Sequence, residues 1–141
     1  MSFLEKSAWL MTFALLISGV LYFNTVMSTS EELGQLAVAH LPSMIIYTII
    51  LCLVSIIGHI VIAILSPKEA SAKHDEREQK IVFKASHFSG YVTGTCIVSS
   101  LGLFLFHHDG SLLFYTVFGS LIISQLSEYL LQIFFCRTSF I

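Results

Sequence analysis

The sequence predicts an all-α integral membrane protein of four transmembrane helices, arranged as two hairpins with both termini in the cytoplasm. Of its 141 residues, 55% are hydrophobic and 11% are charged, whereas a soluble domain carries about 25% charged residues. The chain also contains four apolar runs, each as long as the roughly 20 residues that a helix needs to cross the hydrocarbon core. Lipid is therefore the expected solvent of most side chains.

The four predicted spans belong to a single domain that covers residues 1–141. The first run is too long for the apolar part of a signal peptide, so we expect it to be retained. The short turn between the last two spans makes them antiparallel neighbours. The spans are residues 7–27, 42–65, 85–106 and 111–135.

Two connections carry local signals. Thr29-Ser30-Glu31-Glu32 has the form of a capping box, which predicts a short amphipathic helix at the membrane interface within residues 28–41. Asp109-Gly110 lies between the third and fourth spans. It predicts a turn there, because glycine tolerates a positive φ.

The charged segment of residues 66–84 separates the two hairpins. It opens on Ser66-Pro67-Lys68-Glu69, a helix-start signal, and contains no later glycine or proline. We therefore expect a largely helical segment that continues into the third span. Its mixed charges favour either a solvated helix or a docking surface for a cytoplasmic protein. The candidate docking residues are Asp75, Glu76, Arg77 and Glu78.

The basic residues predict the topology. In a four-span arrangement, all seven lysines and arginines fall on one side of the membrane, and the other side holds Glu31, Glu32 and Asp109. By the positive-inside rule, the basic side is cytoplasmic. We expect a multi-pass protein of the bacterial inner membrane with both termini inside. The basic residues are Lys6, Lys68, Lys73, Arg77, Lys80, Lys84 and Arg137.

Three short motifs carry a family resemblance. They are Glu5-Lys6-Ser7-Ala8-Trp9 at the start, the step from Asp75 to Ile81 before the third span, and Glu128-Tyr129 through Gln132 to Arg137 at the end. In these places the chain resembles a family of small, uncharacterised bacterial four-helix membrane proteins. The resemblance implies the same topology and no particular activity. The chain departs from the family at Cys136-Arg137-Thr138, where the family has a more basic tail.

Polar residues inside the predicted spans are the main functional candidates, because an ionisable group in lipid is costly. Three interpretations of Glu128 are left open: a proton- or cation-coupling carboxylate paired with a histidine, hydrogen bonds that hold helices or subunits together, and a contact with lipid or a ligand. Gln125, Glu128 and Gln132 are expected on one helical face, with Tyr129 beside them. The candidate polar cluster is His59, His87, Gln125, Glu128, Tyr129 and Gln132.

Small residues recur along the third span. Gly90, Gly94 and Gly102 continue a row at four-residue spacing, which allows two helix backbones to come close. The row predicts a packing face, either against another helix of the chain or in a homo-oligomer. Gly58 precedes His59 and predicts a second close approach.

Other chemistry is weakly indicated. His107, His108 and Asp109 are weak candidates for Zn²⁺ or Cu²⁺, and we expect no bound metal or cofactor. Cys52, Cys96 and Cys136 show no metal-binding or redox spacing and are expected to be free thiols. No motif indicates an enzyme or a nucleic-acid-binding module.

Two function classes remain from the sequence. The first is a non-enzymatic membrane module with a sensing, regulatory or scaffolding role, acting as a homo-oligomer and through a cytoplasmic partner. The second is a small proton- or cation-coupled transporter or channel that uses Glu128 with His59 or His87.

Overall fold

The computed structural model describes residues 2–65, 67 and 76–138. This part of the chain is all-helical, with α1 at Phe3–Leu33, α2 at Leu41–Leu65, α3 at Glu76–His107 and α4 at Gly110–Arg137. Each helix is long and apolar enough to cross a membrane. The prediction of four long apolar helices is therefore confirmed.

The helices pack as a row in the order α2, α1, α4, α3. The main interfaces join α1 to α2, α1 to α4 and α3 to α4. Each hairpin thus pairs its own two helices, and α1 with α4 joins the hairpins. Ser2 and Thr138 lie at one end of this row, here called the termini end. Residues 34–40 and 108–109 lie at the other, here called the hairpin end.

The connection after α1 differs from the prediction. The expected interfacial helix within residues 28–41 is absent: α1 continues to Leu33, and residues 35–40 are not helical. Thr29 and Ser30 do not cap a new helix, because their hydroxyls donate to the carbonyl oxygens four residues earlier. Gly34, in the left-handed conformation at φ 66°, ends α1 instead.

Ser30 also shapes the chain after Gly34. Its hydroxyl oxygen accepts a hydrogen bond from the backbone N–H of Ala37 at 2.9 Å, and Ala37 is 6% exposed. The segment therefore folds back against the end of α1 before α2 begins.

The turn between α3 and α4 also corrects the prediction in one detail. His108, not Gly110, takes the positive φ, at 52°. Gly110 is the first residue of α4, and Asp109 is its N-cap, since the Asp109 carboxylate accepts from the N–H groups of Ser111 and Leu112. The aspartate's capping capacity therefore fixes the start of α4 one residue earlier than the sequence suggested.

Helix α3 begins within the charged segment of residues 66–84, as predicted from the absence of glycine and of any later proline in that segment. It runs from Glu76 to His107 as one α-helix. The predicted start signal at residues 66–69 lies outside the described residues, apart from Pro67. On this extension Ile81 is 2% exposed and Ala85 is fully buried, so packing holds the first turns of α3 in place.

An aromatic cluster fills the core near the hairpin end. Tyr22 of α1, Tyr47 of α2 and Phe118 of α4 meet with ring centroids 4.9 to 5.4 Å apart, and Tyr115 joins them in the core. Such aromatic contacts contribute beyond the area they bury. The Tyr115 hydroxyl donates to the carbonyl oxygen of Val38 at 3.4 Å, which holds the segment before α2 against the core.

Glycines mediate the contacts of α1. A Cβ built at Gly58 would lie 2.5 Å from a methyl carbon of Leu10, and one at Gly119 would lie 3.3 Å from the ring of Phe23. The close approach predicted at Gly58 is therefore confirmed, and the partner helix is α1.

Candidate functional site

A row of hydroxyl groups joins α3 to α4. The Thr93 and Ser124 hydroxyls hydrogen-bond to each other, and the Ser124 hydroxyl also donates to the carbonyl oxygen of Ser89 at 3.3 Å. Closer to the hairpin end, the hydroxyls of Ser100 and Ser120 lie 3.3 Å apart. We call these five residues the hydroxyl seam.

Four of the five residues of the hydroxyl seam are buried, and Thr93 is half-buried. Ser89, Ser100, Ser120 and Ser124 are each at most 5% exposed. Buried hydroxyls need hydrogen-bond partners, and here the partners are another seam hydroxyl, a carbonyl oxygen of the same two helices or, for Ser89, the Glu128 carboxylate. The seam therefore acts as polar contact between two helices.

Glu128 lies at the termini end of the hydroxyl seam. Its Oε2 is 3.4 Å from the hydroxyl of Ser89, which donates, and its Oε1 is 3.5 Å from the side-chain amide of Gln132, which also donates. Both distances are at the long limit of a hydrogen bond. The carboxylate is half-buried and continues the contact between α3 and α4.

The remaining candidates on α4 separate from Glu128. Gln132 is 5% exposed, whereas Gln125 is exposed and Tyr129 is half-buried. Gln125 therefore points away from the side that Glu128 and Gln132 share. The period of four from Ser120 through Ser124 and Glu128 to Gln132 describes the polar side of α4 better than the spacing that includes Gln125.

His59 belongs to the interface of α1 with α2. Its Nε2 is 2.7 Å from the Ser7 hydroxyl, and its Nδ1 is 2.7 Å from the carbonyl oxygen of Ser55. Since a carbonyl only accepts, Nδ1 carries a proton, and in the neutral ring Nε2 accepts from Ser7. Both nitrogens are thus engaged, and the structure does not bring His59 to Glu128.

His87 lies on the outer surface of α3. It is exposed, and its ring contacts those of Phe83, Phe88 and Tyr91 on the same helix. Its place is an aromatic surface rather than the interface with α4. Among the described residues, the hydrogen-bond partners of the Glu128 carboxylate are Ser89 and Gln132.

An ion pair closes the termini end. Nε of Arg137 donates to Oε1 of Glu5 at 2.9 Å, and the guanidinium carbon lies 5.6 Å from the centre of a Trp9 ring, within cation–π range. Ser2 accepts from the N–H of Glu5 at 3.3 Å and caps α1. The buried carboxylate of Glu5 is a polar group that was not among the site residues predicted from the sequence.

Residues from the two ends of the chain meet here: Glu5 and Trp9 from the start, and Arg137 from the end. The hydroxyl seam with Glu128 and the ion pair at the termini end together form the candidate site.

The glycine row of α3 faces away from the other helices. A Cβ built at Gly90, Gly94 or Gly102 meets no atom within 4 Å. The side of α3 that packs inward is offset by one residue and contains Ala85, Ser89 and Thr93. Contact within the chain is therefore not the role of the glycine row, and its role in a homo-oligomer stays a prediction.

The weak metal candidates have other roles in the structure. The Asp109 carboxylate caps α4, and Nδ1 of His107 lies 3.2 Å from the carbonyl oxygen of Leu103. Within residues 2–65, 67 and 76–138, no three histidine, cysteine or acidic side chains group in a way that could hold a metal ion. The three cysteines are free thiols.

Comparison of the chain with models of protein families, with curated proteins and with solved structures gives no match.

Proposed function

We propose that this chain is a multi-pass protein of the bacterial inner membrane with both termini in the cytoplasm. The support is the distribution of charge over the fold. Lys6, Lys80, Lys84 and Arg137 lie towards the termini end, where α1 and α3 start and α4 ends, while Glu31, Glu32 and Asp109 lie towards the hairpin end. A complete bias of this kind favours one orientation.

Within that membrane, we propose a non-enzymatic module that senses, regulates or scaffolds through the first turns of α3. One observation supports this proposal: residues 76–84 at the start of α3, here called the charged extension, are helical and are held in place by packing. Ile81 and Ala85 are buried on one side, while Glu76, Gln79 and Lys80 are exposed on the other. Charges at fixed positions favour recognition of a specific protein partner.

The test uses photocrosslinking in intact cells. A photoreactive amino acid is placed at position 79 on the extension and, as the matched control, at position 35 at the hairpin end. We expect position 79 to capture one protein identifiable by mass spectrometry, and the Glu76→Lys/Lys80→Glu double variant to abolish that product. The docking proposal fails if the product persists in the double variant or if position 35 captures the same protein.

A second candidate function is cation or proton coupling at Glu128. The observation that favours it is the continuity of the seam, in which the Glu128 carboxylate meets Ser89 and the hydroxyls of Thr93 and Ser124 follow. Purified protein in vesicles tests it through proton and cation flux, with Glu128→Gln as the variant and Gln125→Glu as the control on the exposed side. Equal flux from wild type and Glu128→Gln removes this candidate.

A further inference from the structure

A cavity of about 670 Å³ lies between α1, α2 and the segment that joins them at the hairpin end. Its size is within the range of ligand cavities, about 300–1,000 Å³. The aromatic rings that line the cavity belong to Tyr22, Tyr47 and Tyr115 of the core. The cavity opens towards the outside of the helix row. This cavity belongs to neither the hydroxyl seam nor the charged extension.

The cavity is elongated along α1. Its lining residues on that helix recur every three or four positions from Ser18 to Leu33, so they form one stripe. At about 1.5 Å per residue, the fifteen steps from Ser18 to Leu33 span roughly 22 Å. In the proposed placement α1 crosses the membrane, so the stripe runs in the same direction as a lipid acyl chain. Its length is close to the hydrocarbon thickness of one leaflet, roughly 15 Å, plus part of the interface.

The wall suits an apolar occupant. The hydroxyls of Ser18, Thr25 and Thr29 line the cavity, but each donates to a carbonyl oxygen of its own helix. Those protons are therefore not offered to a ligand. The lining groups able to orient a polar head are His40 and Ser43 at the hairpin end, where Nδ1 of His40 lies 3.0 Å from the Ser43 hydroxyl, and the hydroxyl of Tyr47, which is buried and has no hydrogen-bond partner among the described residues.

The charge at the mouth selects the head group. Glu32 is exposed in the last turn of α1, three residues after Thr29 and next to Leu33, which both line the cavity. Its carboxylate therefore lies at the edge of the lining stripe. No lysine or arginine occurs in residues 7–67, so the charge beside the stripe repels an anionic head group and attracts an ammonium group.

We propose that this cavity binds one acyl chain of a zwitterionic, amine-bearing membrane lipid, whose head group lies beside His40 and Glu32. The proposal rests on the membrane placement above and not on the docking surface. The chain extends along α1 towards Ser18, and the head stays at the hairpin end.

The first measurement is native mass spectrometry of the protein purified from mixed phosphatidylethanolamine and phosphatidylglycerol vesicles. Wild type is expected to retain one phosphatidylethanolamine. Thr25→Phe places a ring in the stripe and is expected to reduce the retained fraction about tenfold. The matched control is Val20→Phe, also on α1 but 65% exposed and outside the lining. Equal retention by the two variants, or no preference over phosphatidylglycerol, overturns the proposal.

The second measurement needs no variant. A phosphatidylethanolamine with a diazirine near the chain end is photolysed in vesicles that hold the wild-type protein. Crosslinks confined to the lining near Ser18 and Ile50 support the site, whereas crosslinks spread around α1 and α2, or a crosslinked second copy of the chain, overturn it. Alkaline washing distinguishes failure of the lipid site from failure of the membrane placement, because a protein that is not embedded in the membrane leaves the vesicles altogether.

Discussion

Arg137 and Glu5 form an ion pair at 2.9 Å although 132 residues separate them in the chain. The pair is asymmetric: the Arg137 side chain is 59% exposed and that of Glu5 is 10% exposed. Water therefore solvates the cation well and the carboxylate poorly, so the two partners do not contribute equally to stability.

This asymmetry predicts unequal costs of removal. Arg137→Ala leaves a buried carboxylate without its cation, and we expect a loss of about 1–3 kcal/mol of unfolding free energy. Glu5→Gln leaves a solvated guanidinium, and we expect a loss below about 1 kcal/mol. Thermal unfolding in detergent, with the double variant to complete a cycle, measures both. A larger loss for Glu5→Gln than for Arg137→Ala contradicts the inference.

The contact of Gly58 with Leu10 predicts a steric effect. Gly58→Val forces a branched side chain into the space that Leu10 occupies, and we expect about 1–3 kcal/mol of destabilisation. Gly94→Val is the matched control, since a Cβ built at Gly94 meets no atom within 4 Å in the single chain. Denaturant titration of both variants gives the comparison, and equal destabilisation would argue against this packing.

Gly94→Val also tests the homo-oligomer. If the glycine row is the contact between two copies, we expect this variant to keep its fold and lose a crosslinked dimer in membranes. Gly119→Val, beneath Phe23 in the α1–α4 interface, should instead lower thermal stability. A Gly94→Val protein that crosslinks as efficiently as wild type excludes the glycine row as the dimer contact.

Two substitutions of Glu128 test whether its carboxylate has a structural role in the contact between α3 and α4. Glu128→Gln keeps groups able to meet Ser89 and Gln132, so we expect less than about 1 kcal/mol of destabilisation. Glu128→Leu leaves the buried Gln132 amide without its acceptor and should lose about 1–3 kcal/mol. Thermal unfolding distinguishes them. If Leu is as stable as wild type, Glu128 does not support the seam.

The capping residue of α4 gives a local prediction. Asp109→Ala removes the acceptor for the N–H groups of Ser111 and Leu112 and should cost about 1 kcal/mol. His108→Gly relieves a positive φ and should be neutral or stabilising. Both are measured by thermal unfolding, with Asp109→Asn as the control that retains capping. A destabilised His108→Gly would conflict with the observed backbone.

Apolar run length was enough to predict the helices but not their packing order. A run such as residues 42–65 identifies α2, which begins at Leu41 and ends at Leu65, because an uninterrupted apolar run of this length predicts one continuous helix. Whether α2 packs against α1 or α3 depends on side-chain shape. Gly58 signalled a close approach, but its partner Leu10 lies 48 residues earlier and carries no signal of its own.

The candidate site illustrates the same limit. Ser89, Thr93 and Ser124 are ordinary helix residues in sequence, and the glycine row one position away gave the stronger pattern. A row with period four from Ser120 to Gln132 was the available signal for the polar side of α4. Glu5 was visible only within a short motif, because its burial depends on a partner at the other end of the chain.

Helix α3 is longer than the hydrocarbon core of a bilayer is thick. Its 32 residues, at about 1.5 Å each, extend roughly 48 Å, against a hydrocarbon core of about 30 Å. No glycine or proline interrupts it between Glu76 and Ser89, so no ready hinge absorbs a change in height. In the proposed membrane placement, the depth of the hydroxyl seam in the bilayer therefore sets the distance of Glu76 from the membrane surface, and the proposed partner would be held at that distance.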